Sequence, residues 1–388
     1  MSSSVVRLLS PLDWIKKFDG SVHIDASKAL LIGLLITLIT MNFISGVVMP
    51  GKVYDYFHYL SDYAYGVNEK LDALNWIRYN TEPNSTFVAD EFIGRWIEGY
   101  ADRRVLMTLS PYQIFIVGEY ERYEASKLVM DGNIELRNEY LRILDTSKHD
   151  GNEILWISTS DGLDYNGIVY LIDGTFDVIF TYSGNVWVES PYRANITSVN
   201  WLVRNNTEAS IEVKYRSKSL EIVRIIDLKA NSKVVVVRYI VKPIIGATLL
   251  KAHLPIWIPY SSKLDDVLFY NGTLHAYVNG VPFYVRILNG NSSYEVGPDN
   301  KWGQTRIQYT FNASNNMIDY RVELTFPNAK KSVWGYDLYA STFDEVVNKY
   351  NVSYIVLSKV KDDFIRFLKD PRMVVAYEND KIIIFKVK

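Results

Sequence analysis

The 388-residue chain contains no cysteine. Disulfide frameworks, thiolate metal sites and cysteine nucleophiles are excluded together. The five histidines, His23, His58, His149, His253 and His275, are scattered, with no two at helical ligand spacing, so no zinc site is expected. A dominant charge is missing as well. The 42 basic residues face 44 acidic ones, a net of −2, which leaves no electrostatic footprint for nucleic acid. There is no G-x-S-x-G, no P-loop and no G-x-G-x-x-G followed by a helix. No cofactor is called for. Internal repeats and low-complexity linkers are also lacking, which favours one domain inserted into another over beads on a string.

What the chain has in quantity is apolar surface. It is 48% hydrophobic and 14% aromatic, enough for two or three domains with real cores. Residues 29–49, ALLIGLLITLITMNFISGVVM, carry no charge and are long enough to cross a ~30 Å hydrocarbon core as a helix. A helix of a soluble domain keeps one polar face, and this segment keeps none. A cleaved signal peptide would be shorter and begin nearer the start. Arg7, Lys16, Lys17 and Lys28 precede the span and Lys52 is the nearby basic residue after it. The positive-inside rule then puts residues 1–28 in the cytoplasm and the rest outside the plasma membrane, with membrane lipid as a partner. Absence of cysteine in such an ectodomain fits a bacterial or archaeal envelope. Seven N-x-S/T glycosylation sequons begin at Asn84, Asn195, Asn205, Asn271, Asn291, Asn312 and Asn351, all beyond the span, and these asparagines are the expected glycosylation sites.

The tyrosine-rich residues 50–68 read as a juxtamembrane belt. Residues 69–80 place Leu71, Leu74, Trp76 and Ile77 at helical spacing. TFVAD, EFIGRWIEGYAD and RVLMT then predict strand, helix and strand, a βαβ unit with a parallel sheet. Residues 111–144 read as partly helical, best in GEYERYEASKLVM. From about 145 the period changes to two. A dozen short strands, punctuated by Asp-Gly, Asn-Gly and Ser-Gly, predict an antiparallel sandwich ending near Pro327. TFDEVVNKYN reads as a helix capped by Thr342 or Ser341, VSYIVLS as a strand, KDDFIRFLKD as a helix, and MVVAYEND with KIIIFKV as a terminal hairpin. The fold expected is a single N-terminal transmembrane helix followed by an external α/β domain, split between 69–144 and 328–388. The large antiparallel β-sandwich, 145–327, interrupts it.

Residues 76–107 (WIRYNTEPNSTFVADEFIGRWIEGYADRRVLM), with YNVSYIVLSK (350–359) and VVAYENDKIIIFKV (374–387), carry a likeness. Together they resemble the extracytoplasmic C-terminal domain of multi-span GT-C sugar transferases, such as oligosaccharyltransferases and protein mannosyltransferases. The resemblance covers roughly 100 residues in two blocks, with order and spacing as its signal. Where oligosaccharyltransferases carry WWDYG, this chain has Asp90-Glu91-Phe92-Ile93-Gly94, so the tandem tryptophans and the aspartate are absent. The family's many membrane helices and their metal-binding loop carboxylates are absent from this sequence too. The resemblance therefore implies the frame of a transferase domain without its reaction.

Candidate chemistry is thin. Asp90 stands at the carboxyl end of a strand, where α/β sheets place functional groups, and Glu98 lies a helix later. The alternatives are an N-cap for Asp90 and a pairing with Arg95 for Glu98. Arg103 and Arg104 offer either an anion site or strand-edge salt bridges. Asp161, Asp164, Asp173, Asp177 and Glu189 are the acids from which a glycosidase pair could be drawn, although Asp-Gly pairs are ordinary turns. Trp187, Trp201, Trp257 and Tyr260, with Trp156, Tyr182 and Trp302, offer sugar-stacking surfaces or core packing. The sequence thus reads as a non-catalytic, membrane-anchored extracytoplasmic protein that binds a glycan or an envelope protein, accessory to a membrane glycosyltransferase or envelope assembly. A tethered glycoside hydrolase or lyase and a structural surface-layer stalk are the alternatives.

Overall fold

Apolar residues at helical spacing after residue 66 form α1 (Val67–Asn80), which buries Ala73, Leu74 and Ile77. The computed structural model describes residues 67–108, 117–145, 155–159, 170–172, 177–189, 194–258, 264–278, 280–290, 292–298, 305–332, 337–360 and 364–388. The expected transmembrane span and cytoplasmic tail, Asp161, Asp164, Asp173, Tyr260, Asn291 and Trp302 lie outside these residues. Among the described residues no helix is long and apolar enough to cross a membrane. Apart from Val67 they belong to one unit, Asn68–Lys388.

After α1 come β1 (Thr86–Val88) and α2 (Glu91–Trp96). The helix widens into a π turn at Ile97–Ala101, ended by left-handed Asp102, before β2 (Arg104–Val105). Next are α3 (Val117–Asp131), β3 (Ile134–Asn138) and β4 (Leu141–Asp145). The long β region follows with β5 (Leu155–Thr159), β6 (Tyr170–Ile172), β7 (Asp177–Tyr182), β8 (Asn185–Glu189) and β9 (Asn195–Arg204). It continues with β10 (Glu208–Arg216), β11 (Leu220–Lys229), β12 (Val234–Pro243), β13 (Ala247–Trp257) and β14 (Leu264–Tyr270). Then come β15 (Thr273–Val278), β16 (Val281–Asn289), β17 (Ser292–Pro298), β18 (Thr305–Asn312) and β19 (Ile318–Thr325). The chain closes with β20 (Leu338–Thr342), α4 (Phe343–Tyr350), β21 (Val352–Ser358), α5 (Ile365–Leu368), β22 (Met373–Glu378) and β23 (Ile382–Val387).

The described strands form three sheets. A five-stranded sheet runs β2-β1-β21-β23-β22, with β1 parallel to both β2 and β21 and the β21-β23-β22 part antiparallel. An antiparallel eight-stranded sheet runs β14-β15-β16-β19-β12-β11-β10-β9. A ten-stranded antiparallel sheet runs β17-β18-β13-β6-β5-β4-β3-β20, with β7 and β8 branching from β13. The last two bury one shared core, in which Phe311 of β18 stacks on Tyr320 of β19 at 3.8 Å between ring centroids. They are the faces of a sandwich.

The sequence predicts a sandwich over 145–327. The ten-stranded sheet takes in more: β3 and β4, from a stretch read as partly helical, and β20. One face of β3 enters the sandwich core through Ile134 and Leu136. The other carries Glu135 and Arg137, so no apolar alternation signals a strand. Behind that face, α3, α4 and α5 share a second core with Val88, Ile355, Leu357, Ile383 and Phe385 of the five-stranded sheet and Leu144 of β4. The far side of the five-stranded sheet is covered by α1 and the π turn. Five layers therefore succeed one another.

The joint between the helical layer and the sandwich is ionic. Glu124 of α3 meets Arg137 of β3 at 2.8 Å, and Arg142 of β4 meets Glu135 at 2.7 Å and Glu124 at 3.7 Å. Glu124, Glu135 and Arg137 are all buried. Arg137 also lies 5.2 Å from the Tyr120 ring centre, a cation–π distance. Beside the network α3 ends at Gly132, where a Cβ would meet the Asp145 carbonyl at 2.9 Å, so only glycine lets helix and strand close. Deleting one member of a buried ion network strands its partner's charge, at a cost of about 3–5 kcal/mol. Glu124→Gln is expected to lower stability by about that amount in denaturant unfolding of the full chain.

Candidate functional site

The carboxylates nearest to acid–base chemistry in their environment are Glu124 and Glu135. Burial pushes Glu135 up to about 7, with Arg142 opposing. Burial works the same way on Glu124, but Arg137 and Arg142 outweigh it and hold that carboxyl at about 2. One proton-holding and one ionised carboxyl is the arrangement of a general acid with its partner. Both side chains are sealed, at 0% and 6% exposure, so no substrate reaches them. They form a structural joint. Neither was singled out in the sequence. Glu124 on the apolar face of GEYERYEASKLVM and the alternating charges of IELRN are the signals that point to them.

The acids and arginines of the opening stretch serve the backbone. Asp90 caps α2, its Oδ1 accepting from the N–H groups of Phe92 and Ile93, both at 2.8 Å. Glu98 is exposed; its Oε2 accepts from the Thr108 hydroxyl at 3.4 Å, and Arg95 Nε donates to the Thr108 carbonyl at 3.1 Å. Arg103 spreads its guanidinium over the carbonyls of Arg78, Thr81, Ala101 and Asp102 and the Thr81 hydroxyl. It staples the end of α1 to the π turn, with its donors committed.

The candidate aromatics part company. Trp257 is buried, 4% exposed, in the ten-stranded sheet. Trp156 is half-buried against the helical core. Trp201 packs on the sandwich core and donates its indole N–H to Glu345 Oε1 at 3.1 Å, with Arg204 2.5 Å from the same oxygen. Glu345 also closes the capping box of α4 with Thr342. Partial burial works against its ionisation, yet the Thr342 N–H and the Arg204 guanidinium keep its pKa below the usual carboxylate range. Trp201 is thus a tie between β9 and α4.

Trp187 and Glu189 are different. Their strand, β8, is joined to β7 by a tight turn at Ser183 and Gly184, both with positive φ. β7 takes the first half of β13 while β6 takes its last residues, Ile256 and Trp257, so the sheet forks and β8, among the described residues, is an edge paired with β7 alone. Trp187 pairs with Phe180 and Glu189 with Val178, and paired residues share a face. Phe180 and Val178 are buried in the sandwich core, while Trp187 on the same face is 53% exposed and Glu189 is half-buried. The next strand, β9, is an edge of the other sheet among the described residues. Its Ile196 and Val199 pair with buried Tyr215 and Val213, yet are 38% and 40% exposed. Core-facing positions thus stay open to water on both consecutive edge strands. An indole with a carboxylate about 7 Å along the same strand face can stack on a sugar ring and accept from its hydroxyls.

Asp177 pairs with His253, whereas its neighbour Val178 pairs with Glu189, so Asp177 and Glu189 point to opposite faces. These two do not form a glycosidase pair. Among the described residues no group of three or more His, Asp or Glu is placed to hold a metal ion. The described sequon asparagines, Asn84, Asn195, Asn205, Asn271, Asn312 and Asn351, are all exposed.

No protein-family model and no curated protein matches the chain. Among solved structures it is similar to a polysaccharide lyase, at 12% identity with a TM-score of 0.27, over 58% of this chain. The match spans 35% of the lyase's own length. Nothing about activity rests on it.

The acid network sets a pH dependence. Glu135 ionises near 4.5 when unfolded and near 7 when folded, so the unfolded chain releases the proton first. Stability therefore falls as pH rises from 4.5 to 7, by up to about 3 kcal/mol. Glu124 has the opposite sign, its contribution being lost as pH falls from 4.5 towards 2. Denaturant midpoints measured across this range are expected to peak near pH 4.5 to 5, and Glu135→Gln is expected to flatten the fall on the alkaline side.

Proposed function

We propose that the chain is a non-catalytic, single-pass protein of the plasma membrane whose ectodomain binds glycan along the open side of its sandwich. The observation that carries this reading is Trp187, half open to water on a core-facing position of an edge strand, with Glu189 on the same face. Residues 29–49 are the anchor, residues 1–28 the cytoplasmic tail, and the described unit lies outside the cell. Ile196 and Val199 extend the apolar surface across the strand that follows. The resemblance of the five-stranded unit to the outer domain of GT-C transferases gives the partner class, a membrane glycosyltransferase or its envelope product. Asp90-Glu91-Phe92-Ile93-Gly94 stands where that family's oligosaccharyltransferases carry WWDYG, and on this reading the chain presents or retains glycan while another protein performs the chemistry.

The full chain in mild detergent, titrated against glycans from its own envelope, tests this. Trp187→Ala is expected to weaken binding by tenfold or more, about 1.4 kcal/mol, with the thermal midpoint unchanged because the ring is half exposed. Glu189→Gln is expected to weaken it less. Equal binding by the natural chain and Trp187→Ala would remove the assigned site.

A further inference from the structure

The hairpin between β14 and β15 has a two-residue loop. Tyr270 pairs with Thr273, leaving Asn271 and Gly272 at the tip with φ of 48° and 73°. Positive φ at both positions is type I′ geometry, and Asn-Gly is the dipeptide it favours. The same tip, Phe269-Tyr270-Asn271-Gly272-Thr273, contains an N-x-T triplet. Because paired residues share a face, Tyr270 and Thr273 point to the same side of the hairpin, with Asn271 between them in the chain. Tyr270 is 68% exposed, and Leu268, two residues back on that face, is 60% exposed. The hairpin at Ser183 and Gly184 has the same sign of φ, but there the Tyr182 ring lies against Gly246, whose added Cβ would come within 3.1 Å of it. Tyr270 and Leu268 instead leave an aromatic ring and an isobutyl group bare beside an acceptor asparagine.

We propose that Asn271 is a glycosylation site whose first sugar packs its apolar face on Tyr270 and Leu268. The inference rests on the outward orientation given above. In the modification, Asn271 Nδ2 forms a bond to the anomeric carbon of a lipid-phosphate-linked sugar and loses one proton. The bond between that carbon and the phosphate oxygen breaks, and the lipid phosphate leaves with the electron pair. Stacking covers the two side chains that the fold leaves in water, so the glycan contributes to stability as well as to solubility.

The test uses the full chain purified from its own membrane, digested and analysed for glycopeptides by mass spectrometry, with protease treatment of intact cells reporting orientation separately. A glycan at Asn271, lost in Thr273→Ala, is expected. Glycans at Asn84, Asn195 or Asn205 with Asn271 bare would overturn this inference and leave the orientation standing. Protection of the ectodomain from external protease would sink the orientation and the site together. Enzymatic removal of the glycan is expected to lower the thermal midpoint of the natural chain by about 2–4 °C and that of Tyr270→Ala by less than half as much. Equal shifts would refute the stacking.

Discussion

The structure depends on two arginines and two carboxyl groups placed where apolar contact is expected, between α3 and the outer face of the ten-stranded sheet. Glu124, Glu135, Arg137 and Arg142 share a boundary otherwise built from Leu144, Trp156 and the apolar face of α3. Fully apolar contact would make this boundary permissive of sliding. Guanidinium–carboxyl contacts at 2.7 and 2.8 Å hold one register, because displacing Glu124 would leave the Arg137 guanidinium buried without its counter-charge. The same principle crosses the sandwich, where Asp145 on the inner face of β4 pairs with buried Arg224 of β11. Asn138 continues it at the β3–β4 turn, donating to the carbonyls of Lys229 and Ser232, both at 2.7 Å. Residues 135–145 thus fasten the helical layer on one side and the second sheet on the other.

Much of the terminal unit could be read from local signals. Thr342 with Glu345 three residues on gives the capping box, and Val352–Ser358 appears as an apolar run of strand length. Asn379 closes the last hairpin by accepting from Lys381 and Ile382. The sandwich strands announce themselves through their period of two. What stayed hidden depended on distant partners. β3 looked unlike a strand because Glu135 and Arg137 face a helix that closes over them. Arg103 looked available for an anion because its carbonyl acceptors near residues 78 and 81 meet it only in the fold.

The aromatics make the same point about sites. Trp187, Trp201 and Trp257 are indistinguishable by pattern, each in a strand of alternating residues. Their fates follow from strand position: interior for Trp257, tied to Glu345 for Trp201, and a branch edge for Trp187. Sheet order is a long-range property, so the difference between a core ring and an exposed one was absent from the local sequence.

The five-stranded sheet draws β1 and β2 from one end of the unit and β21 to β23 from the other, with Thr86 set beside Val352. During synthesis, β1 must therefore wait for its neighbour until the sandwich and α4 have emerged. The long-range closure is the last entropic step, and the sandwich, with its mostly sequential hairpins, can be complete before it. Until then Phe87 and Val88, both fully buried in the finished unit, lack their cover, so β1 is an aggregation-prone strand of the nascent unit. The cover of β1 is supplied by β21, roughly 260 residues further along the chain.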